Sequence, residues 1–256
     1  MQYGAHKVNI GKEDLCVCGS GVKYENCCMK KGHIYEAMVI DETGKQLIYD
    51  QSEVISGVES LLKFLEWRIN GANSTLSYEE SRRKIKKLFE KLDTSLKPIG
   101  TISSCNLGCN HCCHLLVLTS KLEYEIINEF LHKNFSEEKI LDIKEKINKH
   151  STFFKNLNHN NEKFSVEDYE IYVSKKIPCG FLSHDNQCII YDVRPFVCRK
   201  YLVFNDSSIC GDPLNKTNQY YAKYLTTTKD AIAKLNRLTY GNNLEYKHLL
   251  SWFADN

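Results

Sequence analysis

Proline is scarce in this chain of 256 residues, with four in all, and tryptophan scarcer, with two. Little Pro beside abundant Asn and Lys tracks an AT-rich genome rather than disorder, and no low-complexity tract or repeat of fixed period occurs. Charge of one sign is lacking too. The 34 Lys and Arg stand against 32 Asp and Glu, for a formal net charge of +2, so no global field argues for a polyanionic partner. No apolar run approaches the roughly 18 residues of a membrane span, and Leu115–Leu118 is a core segment at best. Met1–Cys16 has no apolar core of signal-peptide length. Cytosolic placement and no membrane partner are therefore expected. Also missing are a glycine-rich nucleotide loop, a Ser/His/Asp set and paired carboxylates in a recognisable context.

What the chain does have is twelve cysteines. Four stand near the N-terminus: Cys16, Cys18, Cys27 and Cys28. Eight follow later, as Cys105, Cys109, Cys112, Cys113, Cys179, Cys188, Cys198 and Cys210. In a reducing compartment such groups read as metal ligands or redox groups, because a soft cation needs several thiolates converging on one point. Scattered buried thiols would not fall into two compact groups with no strays.

Residues 11–32 are too short to own an apolar core, so metal must supply their folding energy. Residues 33–99 read as a connecting region. Two β-prone stretches, 34–40 and 46–50, form a hairpin around Glu42–Lys45. An amphipathic helix over 52–69 carries Val54, Val58, Leu61, Leu62 and Leu65 inward. Ser77 and Glu80 make a capping box for a helix over 78–96, closed by Lys97-Pro98. Its outer face holds Arg82, Arg83, Lys84, Lys86, Lys87 and Lys91, read as a solvated face because no aromatic platform interleaves the charges. From 100 to 256 runs the cysteine-rich domain. A second capping box, Ser120 with Glu123, opens a helix to about 133, and another is expected over 137–156. The stretch 157–176 is ambiguous, and 179–210 is irregular with few apolar anchors. Closing helices are predicted over 216–238 and 245–253. The fold class expected is mainly α with a small β-hairpin: a metal-stabilised cysteine-cluster domain plus a small N-terminal zinc module.

In the N-terminal group, Cys16-Val-Cys18-Gly-Ser-Gly-Val-Lys-Tyr-Glu-Asn-Cys27-Cys28, Gly19 and Gly21 permit a tight turn around an ion. Four thiolates about 2.3 Å from one Zn²⁺ form a closed, structural shell. This stretch resembles the SEC-C motif, a small zinc module attached to many bacterial proteins. The resemblance implies zinc on Cys16, Cys18, Cys27 and Cys28, with a role in docking a protein partner or in stability. It implies a bacterial source as well. Lys23 and Tyr24 are typical of the motif's surface; for Tyr24 packing is as good a reading as binding.

The run Cys105-x₃-Cys109-x₂-Cys112 has the spacing of radical S-adenosylmethionine enzymes, but those need repeated strand–helix units where 120–160 offers consecutive helices. A fuller resemblance is to the YkgJ-like cysteine-cluster family over about 100–212. It is carried by C-x₃-C-x₂-C-C, Pro178-Cys179-Gly180-Phe181-Leu182, Cys188-Ile-Ile-Tyr191-Asp192-Val-Arg194-Pro195-Phe-Val-Cys198-Arg199, then Tyr201 and Cys210. The resemblance implies chelation of zinc or iron by the eight cysteines, as Zn²⁺ or as iron–sulfur clusters. Flagellin lysine N-methylases are similar in this region. Eight thiolates suffice for two four-coordinate sites, and their division is open. Arg194 and Arg199 flank Cys198, to offset thiolate charge or, for Arg194, to pair with a neighbour such as Asp192. Tyr191 and Tyr201 donate to sulfur or pack; His111, His114 and His184 are read as local hydrogen-bonding residues rather than ligands.

The expected function is that of a cytosolic metal-binding protein. The alternative is an iron–sulfur enzyme, an oxidoreductase or a protein-modifying enzyme like the flagellin methylases. A third reading, a nucleic-acid-associated zinc protein using residues 82–91, is weaker. Catalytic and organic-cofactor residues cannot be named.

Overall fold

A computed structural model describes residues 5–39, 45–105, 108–157, 164–211, 219–242 and 245–254. The expected hairpin forms from β2 (Tyr35–Val39) and β3 (Gln46–Asp50), antiparallel with Tyr35 opposite Asp50. Most of its connection, Glu42–Gly44 included, lies outside the described residues. A third strand that the sequence did not announce, β1 (Ala5–Lys7), pairs along the far edge of β2. Three residues are too few to show an alternating pattern.

Asp50 closes β3 and caps α1 (Gln51–Phe64), accepting hydrogen bonds from the Ser52 and Glu53 amides. The helix continues as a π-helical turn over Leu65–Asn70. Val54, Leu61 and Leu65 face inward as expected, but Leu62 is exposed. A buried glycine, Gly57, takes the central place on the inner face. A Cβ there would lie 2.7 Å from Ser95 Cα, so α1 and α2 (Tyr78–Gly100) cross in direct backbone contact. The capping box of Ser77 and Glu80 opens α2 as predicted. Its end is not at Pro98: the helix runs through the proline to Gly100. Pro98 loses one helical hydrogen bond, which burial of Pro98 and of Ile99 beside it offsets.

The second capping box opens α3 (Lys121–Asn134). The single helix expected over 137–156 is two, α4 (Glu137–Asn148) and α5 (Ser151–Lys155), separated at Lys149 and His150. The ambiguous stretch contains α6 (Val166–Ser174). Within the cysteine-rich segment lie α7 (Phe196–Lys200) and a short loop-back in which Leu182 bridges Cys188. That segment is better anchored than its sequence suggested, with Phe181, Ile190, Phe196, Val203 and Phe204 all buried. Each such side chain contributes about 1.5–3 kcal/mol.

The predicted closing helices hold only in part. The first is α8 (Lys223–Tyr240). In place of the second, β5 (Tyr246–His248) pairs antiparallel with β4 (Leu118–Ser120), followed by a 3₁₀ turn over Leu249–Trp252. Pairing to a distant strand overrides the local helical pattern. The Trp252 indole then donates to Thr119 Oγ1 at 3.0 Å and stacks on Tyr124. One core joins α1, α2, α3 and α8; a second joins α3 to α6 with Phe181, Ile190 and the chain's last turn. No helix among the described residues is long and apolar enough to cross a membrane.

Candidate metal centre

The N-terminal centre is built from two loops. Leu15 bridges Lys23, and the Cys16 amide donates to the Val22 carbonyl at 2.8 Å, closing a tight knuckle. Gly19 (φ 77°) and Gly21 (φ 73°) make its turns, in left-handed conformations a side chain would strain. Cys27 and Cys28 sit between the 3₁₀ turns Tyr24–Asn26 and Met29–Lys31. All four Sγ atoms lie within 4.8 Å of one another. Cys18 to Cys27 is 3.6 Å and Cys27 to Cys28 is 3.9 Å. A tetrahedron with bonds of about 2.3 Å has edges of about 3.8 Å, so the donors fit a single Zn²⁺.

Polar neighbours already address the sulfurs. Tyr35 from β2 donates its hydroxyl to Cys28 Sγ at 3.0 Å, and Ser20 Oγ lies 3.2 Å from Cys27 Sγ. Hydrogen bonds from Ser20 lower the exposed Cys18 thiol to about 6. For Cys28 the Tyr35 bond is the largest influence and a lowering one. Burial and the thiols of Cys16, Cys18 and Cys27 oppose it and carry the group up to about 12. Tyr24 donates to the His33 carbonyl and packs near the Tyr35 ring, while Lys23 pairs with Glu13. His33 in turn contacts Asp50, the cap of α1. Tyr35, Ser20 and His33 were not singled out from sequence, since none belongs to a spacing pattern of cysteines.

The later cysteines converge although they span more than a hundred positions. A cavity of about 790 Å³ is lined by seven of the eight, all but Cys210. Cys210 lies in the 3₁₀ turn Ser207–Gly211, which packs on the turn His111–His114 that bears Cys112 and Cys113. Cys210 is buried and the other seven cysteines are half-buried. Burial pushes Cys179 and Cys198 up, and lifts Cys210 to about 12, with Cys105, Cys109 and Cys112 adding to it. Cys112 is pushed up by its contact with Cys113 and by burial. Thiols in such a setting ionise when a cation arrives to take the charge, which is the behaviour expected of a soft-metal site.

Arginine supplies part of that charge. Arg194 acts to lower Cys188 and Cys198. Its guanidinium stacks 3.8 Å from the Tyr191 ring centroid and lies 3.5 Å from Asp93 of α2. Asp93, not Asp192, is thus its acidic partner. Arg199 is buried over Phe89, pairs with Asp93, and donates to the carbonyls of Arg194 and Asp192 at 2.8 and 2.7 Å. Burial lowers it to about 10. Tyr201 lines the cavity, and its carbonyl accepts from Cys105 Sγ at 3.8 Å. The described lining includes none of His111, His114 and His184; it includes His248, from β5. Neither His248 nor Asp93 stands near a cysteine in sequence, so only the tertiary fold reveals them.

On the basic face of α2, Arg82 pairs with Glu79 and Glu129, Lys86 with Glu129 and Lys87 with Glu90. Lys84 and Lys91 donate to the Arg68 carbonyl and to Ser60 Oγ.

No curated protein and no solved structure gives a significant match to the chain. Two family models do match: SEC-C motif over residues 14–30, and CxxCxxCC, described as "putative zinc- or iron-chelating domain", over residues 104–224. Between them the two matched segments contain every cysteine, with the SEC-C match lying ahead of the CxxCxxCC match.

Proposed function

We propose that this is a metal-binding protein with two separate loads: structural zinc on Cys16, Cys18, Cys27 and Cys28, and iron–sulfur in the eight-cysteine domain. The observation that carries the reading is the convergence of seven thiols on one cavity from segments far apart in the chain. The two regions differ in spacing. Among the described residues, the N-terminal thiols alone form a set of three or more within 4.8 Å. Wider spacing suits a polynuclear cluster, whose irons stand between the thiolates, better than a bare zinc ion. When bound, such a cluster supplies electron transfer or a Lewis-acidic iron. The residues of this chain would hold it through thiolate, balance its charge through Arg194 and Arg199, and shield it from water with Tyr172, Ile190, Leu249 and Leu250.

A second reading, an enzyme, is favoured by the size of that cavity. At about 790 Å³ it falls within the roughly 300–1,000 Å³ of small-molecule sites, and an apolar wall including Leu96, Leu115, Val117 and Leu202 faces the thiols. A nucleic-acid role finds little support, since carboxylates and backbone carbonyls already engage most of the basic face of α2. For the SEC-C module we propose a protein partner: Leu15, Val17, Val22 and Met29 stand exposed around the zinc site. Twelve free thiols support a reducing, cytosolic setting.

Protein purified anaerobically tests the main reading. Iron, acid-labile sulfide and broad absorption near 400 nm, with one zinc per chain, are expected. Colourless protein holding about three zinc ions would replace iron–sulfur with zinc in the eight-cysteine domain.

A further inference from the structure

α7 has two faces, and only one of them looks toward the thiols. Cys198 and Arg199 line the large cavity, whereas Phe196 and Lys200, one helical turn apart, line a second cavity of about 330 Å³. Tyr201, which follows, lines both. Another wall of the second cavity is the chain entering α8. Backbone contacts hold it in place: the Tyr220 amide donates to the Leu202 carbonyl at 2.9 Å, and Gln219 bridges Val203. Tyr221 comes next, 77% exposed, with its hydroxyl donating to Gln219 Oε1 at 3.4 Å. A large ring left in water beside a cavity is a platform for another flat group.

The charge of this cavity is of one sign. Lys200, Lys223 and Lys229 line it, and among the described residues no carboxylate does. Lys229 is near enough to act on Lys200, whose Nζ lies 5.9 Å from the Phe196 ring centroid. The basic face of α2 is built differently, since Arg82, Lys86 and Lys87 there each meet a carboxylate. Ammonium groups gathered without counter-charge repel one another, and a cleft concentrates their field. The start of α8 adds to that field, because Ala222 supplies no side-chain cap and the first turn holds no acidic residue. An anion entering the cavity would relieve the repulsion.

We infer that this second cavity binds a mononucleotide, with the phosphate on Lys200, Lys223 and Lys229 and the base against Tyr221. Ammonium groups bind phosphate as point charges, and an aromatic ring stacks on any base. Phosphate and flat ring in one molecule match the two halves of the wall. The volume, about 330 Å³, lies at the lower end of the roughly 300–1,000 Å³ of small-molecule sites, which suits one nucleotide rather than a dinucleotide. A nucleic-acid strand needs a groove that tracks its backbone, and this cavity gathers its cations at one place. The site is separate from the thiols and does not depend on what metal they hold.

Isothermal titration calorimetry of the anaerobically purified full-length protein tests the site, with the 5′-monophosphates of adenosine, guanosine, cytidine and uridine as probes. Saturable binding of at least one of them, at one site per chain and weakened by added salt, is expected. Tyr221→Ala should weaken it roughly 5- to 150-fold, the worth of a base stacked on an aromatic ring. Lys229→Gln should weaken it about tenfold, the worth of a charge-assisted hydrogen bond. Tyr221 and Lys229 are both exposed, so these variants should keep the wild-type circular dichroism spectrum. Lys87→Gln, on α2, should bind as wild type does. Absence of saturable binding by all four nucleotides at millimolar concentration would overturn the inference. Inorganic phosphate binding as tightly as the nucleotides would reduce the site to an anion hole without recognition of a ring. Tighter binding of a single-stranded oligothymidylate than of any mononucleotide would replace the small molecule with a nucleic acid. Undiminished affinity in Tyr221→Ala and Lys229→Gln would put the nucleotide elsewhere on the protein, and the inference would fall.

Discussion

Replacing Tyr35 by Phe removes one oxygen atom and keeps the ring that fills the small core beneath the N-terminal centre. The lost hydroxyl donates to Cys28 Sγ at 3.0 Å. In the metal-free protein at neutral pH that sulfur is a thiol, pushed up to about 12; with zinc bound it would be a thiolate. The hydrogen bond is therefore stronger in the loaded state, and its loss falls on affinity. A hydrogen bond to a charged group is worth about 1.5–3 kcal/mol, and each 1.4 kcal/mol is about tenfold. Zinc should bind roughly 10- to 100-fold more weakly, in line with the cost of removing partners of metal ligands elsewhere. Competition against a chromophoric chelator at pH 7 reads this directly. Tyr24→Phe is the control: its hydroxyl donates to the His33 carbonyl at 2.8 Å rather than to sulfur, so its affinity should stay near wild type. Unchanged zinc affinity in Tyr35→Phe, or an equal loss in Tyr24→Phe, would refute the coupling between Tyr35 and the metal.

Gly57→Ala should destabilise the fold by about 1–3 kcal/mol, since the new methyl would meet the Ser95 backbone at 2.7 Å; an unchanged melting temperature would mean that α1 and α2 are further apart. Cys16→Ser should remove one zinc and leave the far-ultraviolet circular dichroism of the helical body in place, and loss of the whole spectrum would show that the two modules fold as one. Asp93→Asn takes the counter-charge from Arg199, whose side chain is 2% exposed against 39% for Asp93. Breaking a buried pair costs about 3–5 kcal/mol, reduced here to about 2 by the water reaching Asp93, and chemical denaturation at neutral pH measures it. Stability of the metal-free protein should depend on pH through its buried thiols. Cys210 is raised from 9.0 to about 12, so its contribution is complete below pH 9 and is lost as pH rises toward 12. Metal binding has the opposite slope, tightening as pH rises because each such thiol releases its proton, and a chelator titration at pH 6.5 and 8.5 shows whether it does.

Much of this is legible in the sequence, and what is legible shares a cause. Capping boxes, the hairpin and the cysteine spacings are local: the residues that determine them are the residues that form them. Ser77 with Glu80 and Ser120 with Glu123 both open helices in the structure, as their spacing demanded. The failures arise where a distant partner decides. Tyr246–His248 become a strand because Leu118–Ser120 offers an edge. Nothing in the sequence pattern marks Gly57, and its role emerges only with Ser95 against it. Glu123 reads as a cap and nothing more, yet it is buried and also accepts from the Phe196 amide at 2.9 Å, tying α3 to the helix that bears Cys198.

The same distinction separates the two centres. Within the N-terminal motif thirteen residues supply all four thiols, and glycines at Gly19 and Gly21 settle the loop, so the sequence alone delivers the geometry. In the later domain the thiols arrive on five separate segments, and Asp93 and His248, which line the same cavity, come from α2 and β5. Such a cavity is assembled by packing of the surrounding helices, and its thiols are held un-ionised by the burial that packing creates. A metal would then meet sites whose walls are already fixed but whose charge is not. A cation bound in this cavity would be held by thiolates beside Arg194 and Arg199, and would supply the domain with cross-links that its apolar core does not. If the core alone assembles the cavity, metal-free protein should keep its helical content while losing stability; a coil-like circular dichroism spectrum would show instead that metal builds the cavity.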